Sequence, residues 1–186
     1  MTYKTHLSTG LLFSSFVFLR IYQINLTPVL ALLLVSATIL GASAPDLDRP
    51  TAGLWRKIPA GSIISGIIKP VFIGGHRHLS HSLIGFGIFT ALFCLLTRAI
   101  PFDIVINNYK LIILAFALGY VSHIFADMFT EAGVPVLFPW DYHFGIPPNP
   151  LEKVRIKTGQ WFENFVVYPF VNVALVVVLY YFLAQR

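Results

Sequence analysis

The stretch KLIILAFALGYVSHIFADMF, residues 110–129, decides the fold. Its apolar residues run on without the period-2 alternation of a half-buried strand, so it reads as a helix. A helix that crosses a bilayer needs about 20 mostly apolar residues, with about 17 as a lower limit, and this stretch is long enough. Its last two turns carry His123 and Asp127. Residues four apart share one helix face. Ionisable groups at the end of an apolar span are costly unless they are paired or hold a metal. An imidazole nitrogen and a carboxylate oxygen at this spacing can chelate one ion. The competing reading is a buried His–Asp hydrogen bond that ties a helix bundle together.

Four further segments resemble it. With the first they make five expected spans, Leu7–Gln23, Pro28–Ala44, Ser82–Thr97, Lys110–Phe129 and Asn164–Ala184. Pro28 suits a first helical turn and Pro45 suits a helix end. Ile58 to Ile73 is apolar but interrupted by Gly61, Gly66 and Pro70, which fits an interfacial or re-entrant segment near 58–73 better than a span. The composition agrees. Charged residues are 11% of the 186-residue chain and hydrophobic residues 56%, against about 25% charged in an ordinary soluble domain. So few charges cannot cover a globular surface in water, and so many apolar residues exclude a disordered chain. The fold class is an all-α, multi-pass membrane protein in one domain, 1–186. Ala42-Ser43-Ala44 resembles a signal-peptide cleavage site but closes the second apolar segment, so a removable leader is not expected. Cys94 has no internal partner and reads as a small buried hydrophobe.

Five spans place the N-terminus and the 45–81 and 130–163 loops on one side. That side holds Lys4, Arg49, Arg56, Lys57, Lys69, Arg77, Lys153, Arg155 and Lys157, while Arg20, Arg98, Lys110 and Arg186 fall on the other. The positive-inside rule then puts the N-terminus and both long loops in the cytoplasm. The net charge of +5 is loop charge of this kind. No basic run with interleaved aromatics points to nucleic acid.

The candidate chemistry gathers on the same side. All six histidines lie there, with every acidic residue except Asp103. Asp46 and Asp48 follow the second span in Gly41-Ala-Ser-Ala-Pro45-Asp46-Leu47-Asp48. The small residues permit close helix packing, and two carboxylates so near each other call for a cation; a solvated turn, or pairing of Asp48 with Arg49, is the alternative. His76-Arg77-His78-Leu79-Ser80-His81-Ser82 opens the third span. Ser80 is the expected N-cap, with His81 and Ser82 in the first turn. Backbone N–H groups there, beside Arg77, would suit phosphate; a basic cap contacting lipid head groups is the other reading. His6 begins the first span and Glu163 the last. His6, Asp46, Asp48, His76, His81, His123, Asp127 and Glu163 thus form a mixed N/O donor set suited to Zn, Mn or Fe, held as one or two ions. The 133–161 loop, with Trp140, Tyr142 and His143, caps this face or anchors at the interface. There is no HExxH, GxSxG or P-loop motif, no nucleophilic Cys–His pair and no transporter-like repeat.

The motifs resemble the YdjM-like family of bacterial inner-membrane proteins. The likeness runs through His6, Pro45-Asp46-Leu47-Asp48, His76-Arg77, Ser80-His81-Ser82, Gly119-Tyr120-Val121-Ser122-His123-Ile124-Phe125-Ala126-Asp127, Thr130, Gly133-Val134-Pro135, Pro139, Thr158-Gly159 and Glu163. It leaves out His78 and His143. It implies a helical, metal-dependent hydrolase of the bacterial inner membrane, with a distant likeness to zinc-dependent phospholipase C enzymes that favours a phosphoester substrate. The leading expectation is therefore hydrolysis of a lipid or lipid-linked phosphoester at the cytoplasmic face. The metal would be held by the eight residues named, with Arg77 on phosphate and Asp48 as the base. Two alternatives stand beside it, a non-catalytic membrane interaction protein and a metal-ion or solute transporter. The transporter is disfavoured because the opposite face holds only Asp103 and a few bases.

Overall fold

A computed structural model of the chain describes residues 1–24, 26–48, 61, 63, 66 and 78–184, without the side chains of Asp48 and Leu183. Among these residues there are five α-helices: α1 (Tyr3–Ser15), α2 (Pro28–Ser43), α3 (Leu83–Arg98), α4 (Asp103–Met128) and α5 (Tyr168–Ala184). Single π-helical stretches extend two of them, Phe16–Ile21 after α1 and Glu163–Val167 before α5. The only β pairing among the described residues is two isolated bridges, Thr130 with Ile156 and Val134 with Phe144.

The five helices fall on the five expected segments, but they are not five equal spans. Three are long and apolar enough to cross a membrane, Pro28–Leu47, Asp103–Met128 and Glu163–Phe182. The α3 helix is apolar but only 16 residues long. The α1 helix has 13 residues, and six small or polar ones, Thr5, His6, Ser8, Thr9, Gly10 and Ser14, are its buried residues. Its inward face is therefore polar rather than greasy. The fourth helix starts at Asp103, seven residues before the apolar run, so most of the expected 98–109 connection is helical. Asp103 sits in the first turn, where the helix dipole favours a carboxylate. The expected interfacial segment near 58–73 lies outside the described residues, apart from single positions.

Local signals explain the ends. Thr27 Oγ1 accepts from Leu30 N at 3.2 Å and Pro28 occupies the first turn, so α2 starts where its cap and proline require. After Ser43 the chain tightens into a 3₁₀ turn, Ala44–Asp48, that contains Pro45. The central element is α4, which packs against α1, α2 and α3; α5 packs on α1. The α2–α4 contact is the most intimate. A methyl on Gly41 would fall on the carbonyl of Phe116, and a methyl on Gly119 on the carbonyl of Thr38. Two glycines thus bring the backbones together in the manner of small-residue membrane interfaces.

This packing gathers the N-terminal ends of α1 and α3 and the C-terminal ends of α2 and α4 at one end of the bundle. The N-terminal end of the last helix joins them through Glu163. The 130–162 segment folds over that end. Glu131 N bonds Ile156 O at 3.0 Å, and Leu83 N bonds Val136 O at 3.0 Å. Arg155, counted above among loop cations, is in fact buried. Its Nε donates to Pro147 O at 2.7 Å and its Nη2 to Asn149 Oδ1 at 2.6 Å, which fixes the proline-rich turn. Trp140, Tyr142 and Trp161 face outward, as interfacial aromatics do.

Candidate metal centre

The centre is built on His123 and Asp127 of α4. Both are buried, and His123 Nε2 lies 3.8 Å from Asp127 Oδ2. The expected shared face is therefore present, though the two are not directly hydrogen-bonded there. His123 Nδ1 instead faces the carbonyl of Ala42 at 2.7 Å. A carbonyl can only accept, so Nδ1 carries the proton and Nε2 keeps its lone pair. The α2–α4 glycine contact is what brings Ala42 within reach. Metal-binding histidines are held by this same kind of outer hydrogen bond.

Three other elements add donors. His6 from α1 stacks on His123, with ring centroids 3.6 Å apart and planes within 4°. Its Nε2 lies 3.3 Å from Asp127 Oδ1. His81 stands edge-on to His123 at 5.2 Å, with its Nε2 at 3.6 Å from Asp127 Oδ2 and 3.9 Å from Asp46 Oδ1. Asp46, from the turn after α2, has Oδ1 at 3.9 Å from His123 Nε2. Its side chain keeps 19% exposure, against 2% or less for the other four, so the cluster opens towards water on the Asp46 side. The Met1 amine also meets the Asp127 carboxylate.

These donors fit a metal better than they fit each other. Both ring nitrogens of His6 and Nε2 of His123 are buried without a hydrogen-bond partner. A buried polar atom in that state costs about 1–3 kcal/mol, so leaving three together is unfavourable unless something meets them. Two overlapping triads, His6–His123–Asp127 and Asp46–His81–His123, each place their donor atoms within 4.8 Å of one another. His123 belongs to both. Burial lowers the pKa of His81 below its usual value, so its ring is neutral at pH 7 and available as a ligand.

The family model of the YdjM inner membrane protein matches residues 1–186. The chain belongs to the YdjM inner membrane protein family. Inner membrane protein YdjM of Escherichia coli (strain K12) is 36% identical over 150 residues, covering 76% of this chain and 67% of that protein. YdjM of Shigella flexneri shows the same identity and coverage. The uncharacterized protein YvsG of Bacillus subtilis (strain 168) is 29% identical over 167 residues, covering 90% of this chain and 88% of its own. No solved structure matches.

In this YdjM-family chain, five of the eight expected ligands come together: His6, Asp46, His81, His123 and Asp127. Glu163 does not join them. Its Oε1 accepts from Thr2 N at 2.6 Å, Thr2 Oγ1 at 2.8 Å and Thr5 Oγ1 at 2.7 Å, and its Oε2 from Gly159 N at 2.7 Å. The carboxylate is saturated by these donors and clamps the start of α1 to the last helix. His76, Arg77 and the Asp48 side chain, expected as ligand, phosphate clamp and base, lie outside the described residues. His78 and His143 stand apart from the cluster, with ring centroids 6.3 Å from each other.

The opening of α3 also differs from expectation. Ser82, not Ser80, is the N-cap, and its Oγ accepts from Gly85 N at 3.1 Å. His81 therefore precedes the helix, in the 3₁₀ turn Leu79–His81. With His81 N given to His78 O at 3.3 Å and Ser82 N to Leu79 O at 3.2 Å, the two N–H groups expected to cradle phosphate are already used. Ser80 has another place. Its Oγ is 3.1 Å from His81 Nδ1, and its carbonyl accepts from the buried Tyr120 hydroxyl. Tyr120 entered the sequence reading only within the Gly119–Asp127 motif of the family resemblance, with no role assigned. The available signal was its position in α4, three residues before His123 and so on a neighbouring face.

Proposed function

We propose that this chain is a membrane-bound, metal-dependent hydrolase that cleaves a phosphoester of a lipid or lipid-linked substrate at the cytoplasmic face. One observation carries the reading. Buried imidazoles and carboxylates from four separate elements converge in two triads that share His123, with ring nitrogens left unsatisfied. A helix bundle held by polar contacts alone would pair these groups with each other, as it pairs Thr38 with Ser14 and Glu163 with Thr5.

His123, with the single lone pair of its Nε2, would bind one divalent ion, joined by His6 and Asp127 or by Asp46 and His81, and the pair not so used would be left for a second ion. Zinc suits the donor set, and manganese or iron are compatible with it. A bound ion of this kind lowers the pKa of water and polarises a phosphoryl oxygen. The chain's own part is to fix the donors. Ala42 O sets the tautomer of His123, and Tyr120 and Ser80 hold the turn that carries His81. Asp46, at the open edge, has the exposure to take a proton from water where it is not occupied as a ligand. The excess of cations in the loops that the sequence assigns to this side supports a cytoplasmic orientation.

The test is turnover by purified, zinc-loaded protein on a panel of phospholipids and lipid pyrophosphates. Phosphoester cleavage that requires the metal and disappears in His123→Ala is expected. A fully metal-loaded protein that cleaves none of the panel would overturn the reading.

A further inference from the structure

On the proposed reading as a lipid phosphoesterase, we infer that the cleft between α2 and α3 takes one acyl chain of the substrate and delivers its head group to the metal centre. The cleft has a volume of about 420 Å³. Leu40, Ala44 and Leu47 line one wall, Leu92 and Leu96 the other, and Phe116 the floor. It exists because α4 packs against both neighbours while α2 and α3 form no comparable interface with each other. The glycine contacts draw α2 close to α4, and Phe93 stacks on Phe116 at 4.2 Å to hold α3 at arm's length.

Three features identify the occupant. First, the chemistry of the walls is hydrocarbon almost throughout. A peptide segment would leave its N–H and C=O groups unmet there, and a soluble polar metabolite would find no partner. Second, the length is that of a lipid tail. Wall residues on α2 run from Leu33 to Leu47, which at 1.5 Å per residue is about 21 Å. That exceeds one leaflet, taken as half of a hydrocarbon core of about 30 Å. A chain lying along the helices fits; a compact ligand would leave most of the cleft empty. Third, one end is continuous with the centre. The turn Ala44–Asp48 lines the cleft with Ala44 and Leu47 and offers Asp46 to the metal-binding cluster. A tail in the cleft would therefore carry its polar end to that turn. Leu92 and Leu96 are exposed, so the cleft is open sideways to the bilayer and a lipid can enter without leaving it.

The experiment uses the full chain, zinc-loaded in detergent and stripped of lipid. Native mass spectrometry follows uptake of lysophosphatidylglycerol, with glycerol phosphate as the tail-free control. A second arm uses the same lipid with a diazirine near the end of its chain. Uptake of one lysolipid per chain is expected, with no uptake of glycerol phosphate at the same concentration, and crosslinks at Leu40, Leu92 and Leu96. Leu92→Trp and Ser36→Trp fill the cleft from exposed positions away from the ligands. Each should weaken uptake by at least about tenfold, the loss of two buried methylenes' worth of contact, while zinc content and melting temperature stay as in the unaltered chain. Crosslinks spread evenly onto the lipid-facing Phe170, Val173 and Val176 of α5, or unchanged uptake in both tryptophan variants, would overturn the inference. The two readings fail separately. Lipid held in the cleft of an inactive, metal-loaded protein would sink the hydrolase and spare the cleft. Turnover that survives both tryptophan variants unchanged would do the reverse.

Discussion

His123 shows how much one side chain depends on its surroundings. Its spacing to Asp127 was legible in the sequence because a helix puts residues four apart on one face. Its tautomer was not, because that is set by Ala42 O, 81 positions away along the chain. Tyr120 is the same kind of residue at His81, acting through the Ser80 carbonyl rather than touching an ion. Tyr120→Phe removes that hydrogen bond and should weaken zinc affinity about 10–100-fold, as loss of outer-shell support does at other sites. Competition with a chelating dye checks this, and an unchanged affinity would show that Tyr120 only packs. Glu163 behaves oppositely. Its place at the start of the last span made it resemble a ligand, but four donors converge on it and none is a metal. Glu163→Gln turns two acceptor oxygens into one and brings an NH₂ against donors. It should cost about 1.5–3 kcal/mol, the range for hydrogen bonds to a charged group, read as a lower melting temperature with zinc content unchanged. A Glu163→Gln protein that melts normally but loses zinc would return Glu163 to the ligand set.

At the scale of elements, apolar run length found all five α-helices among the described residues and located their ends to within a few residues for α2 and α3. It failed for α4, where the polar turn Asp103–Lys110 is helical because its acidic first turn suits the dipole and the helix projects past the apolar region. Run length also overstated α1, whose buried face is polar because it meets the centre and its supports rather than lipid. The α2–α4 interface was only half legible. Gly41-Ala-Ser-Ala announced close packing, yet nothing in the sequence tied it to Gly119 on α4. That pairing sets the reach of Ala42 to His123. Gly119→Ala would put a methyl on the Thr38 carbonyl, and backbone cannot give way as a flexible side chain can. It should destabilise the protein by about 1–3 kcal/mol, the usual cost of overpacking, and lower zinc affinity with it. Gly87→Ala on α3 meets nothing within 4 Å and serves as the control, neutral or slightly stabilising on helix propensity. Thermal melts and zinc titrations of the two variants side by side decide the point.

For the molecule as a whole, the most informative sequence feature was segregation. Nearly every acid and all the histidines fall at the same ends of the helices, and the packing brings five of them within reach of common ions. What segregation could not show is which polar groups would be spent on architecture. Arg155 staples the proline-rich turn and Glu163 clamps two helices, and both roles come from contacts between distant parts of the chain. The cation preference of the centre, the support from Tyr120 and the clamp at Glu163 all presuppose that the five converging side chains hold metal. The direct measurement is elemental analysis of the purified chain, saturated with zinc and then dialysed against buffer containing a weak chelator. One to two zinc equivalents should remain, falling to none in His123→Ala, which belongs to both triads. Retention of no zinc, manganese or iron by the unaltered protein, or retention that is the same in His123→Ala, would contradict the account.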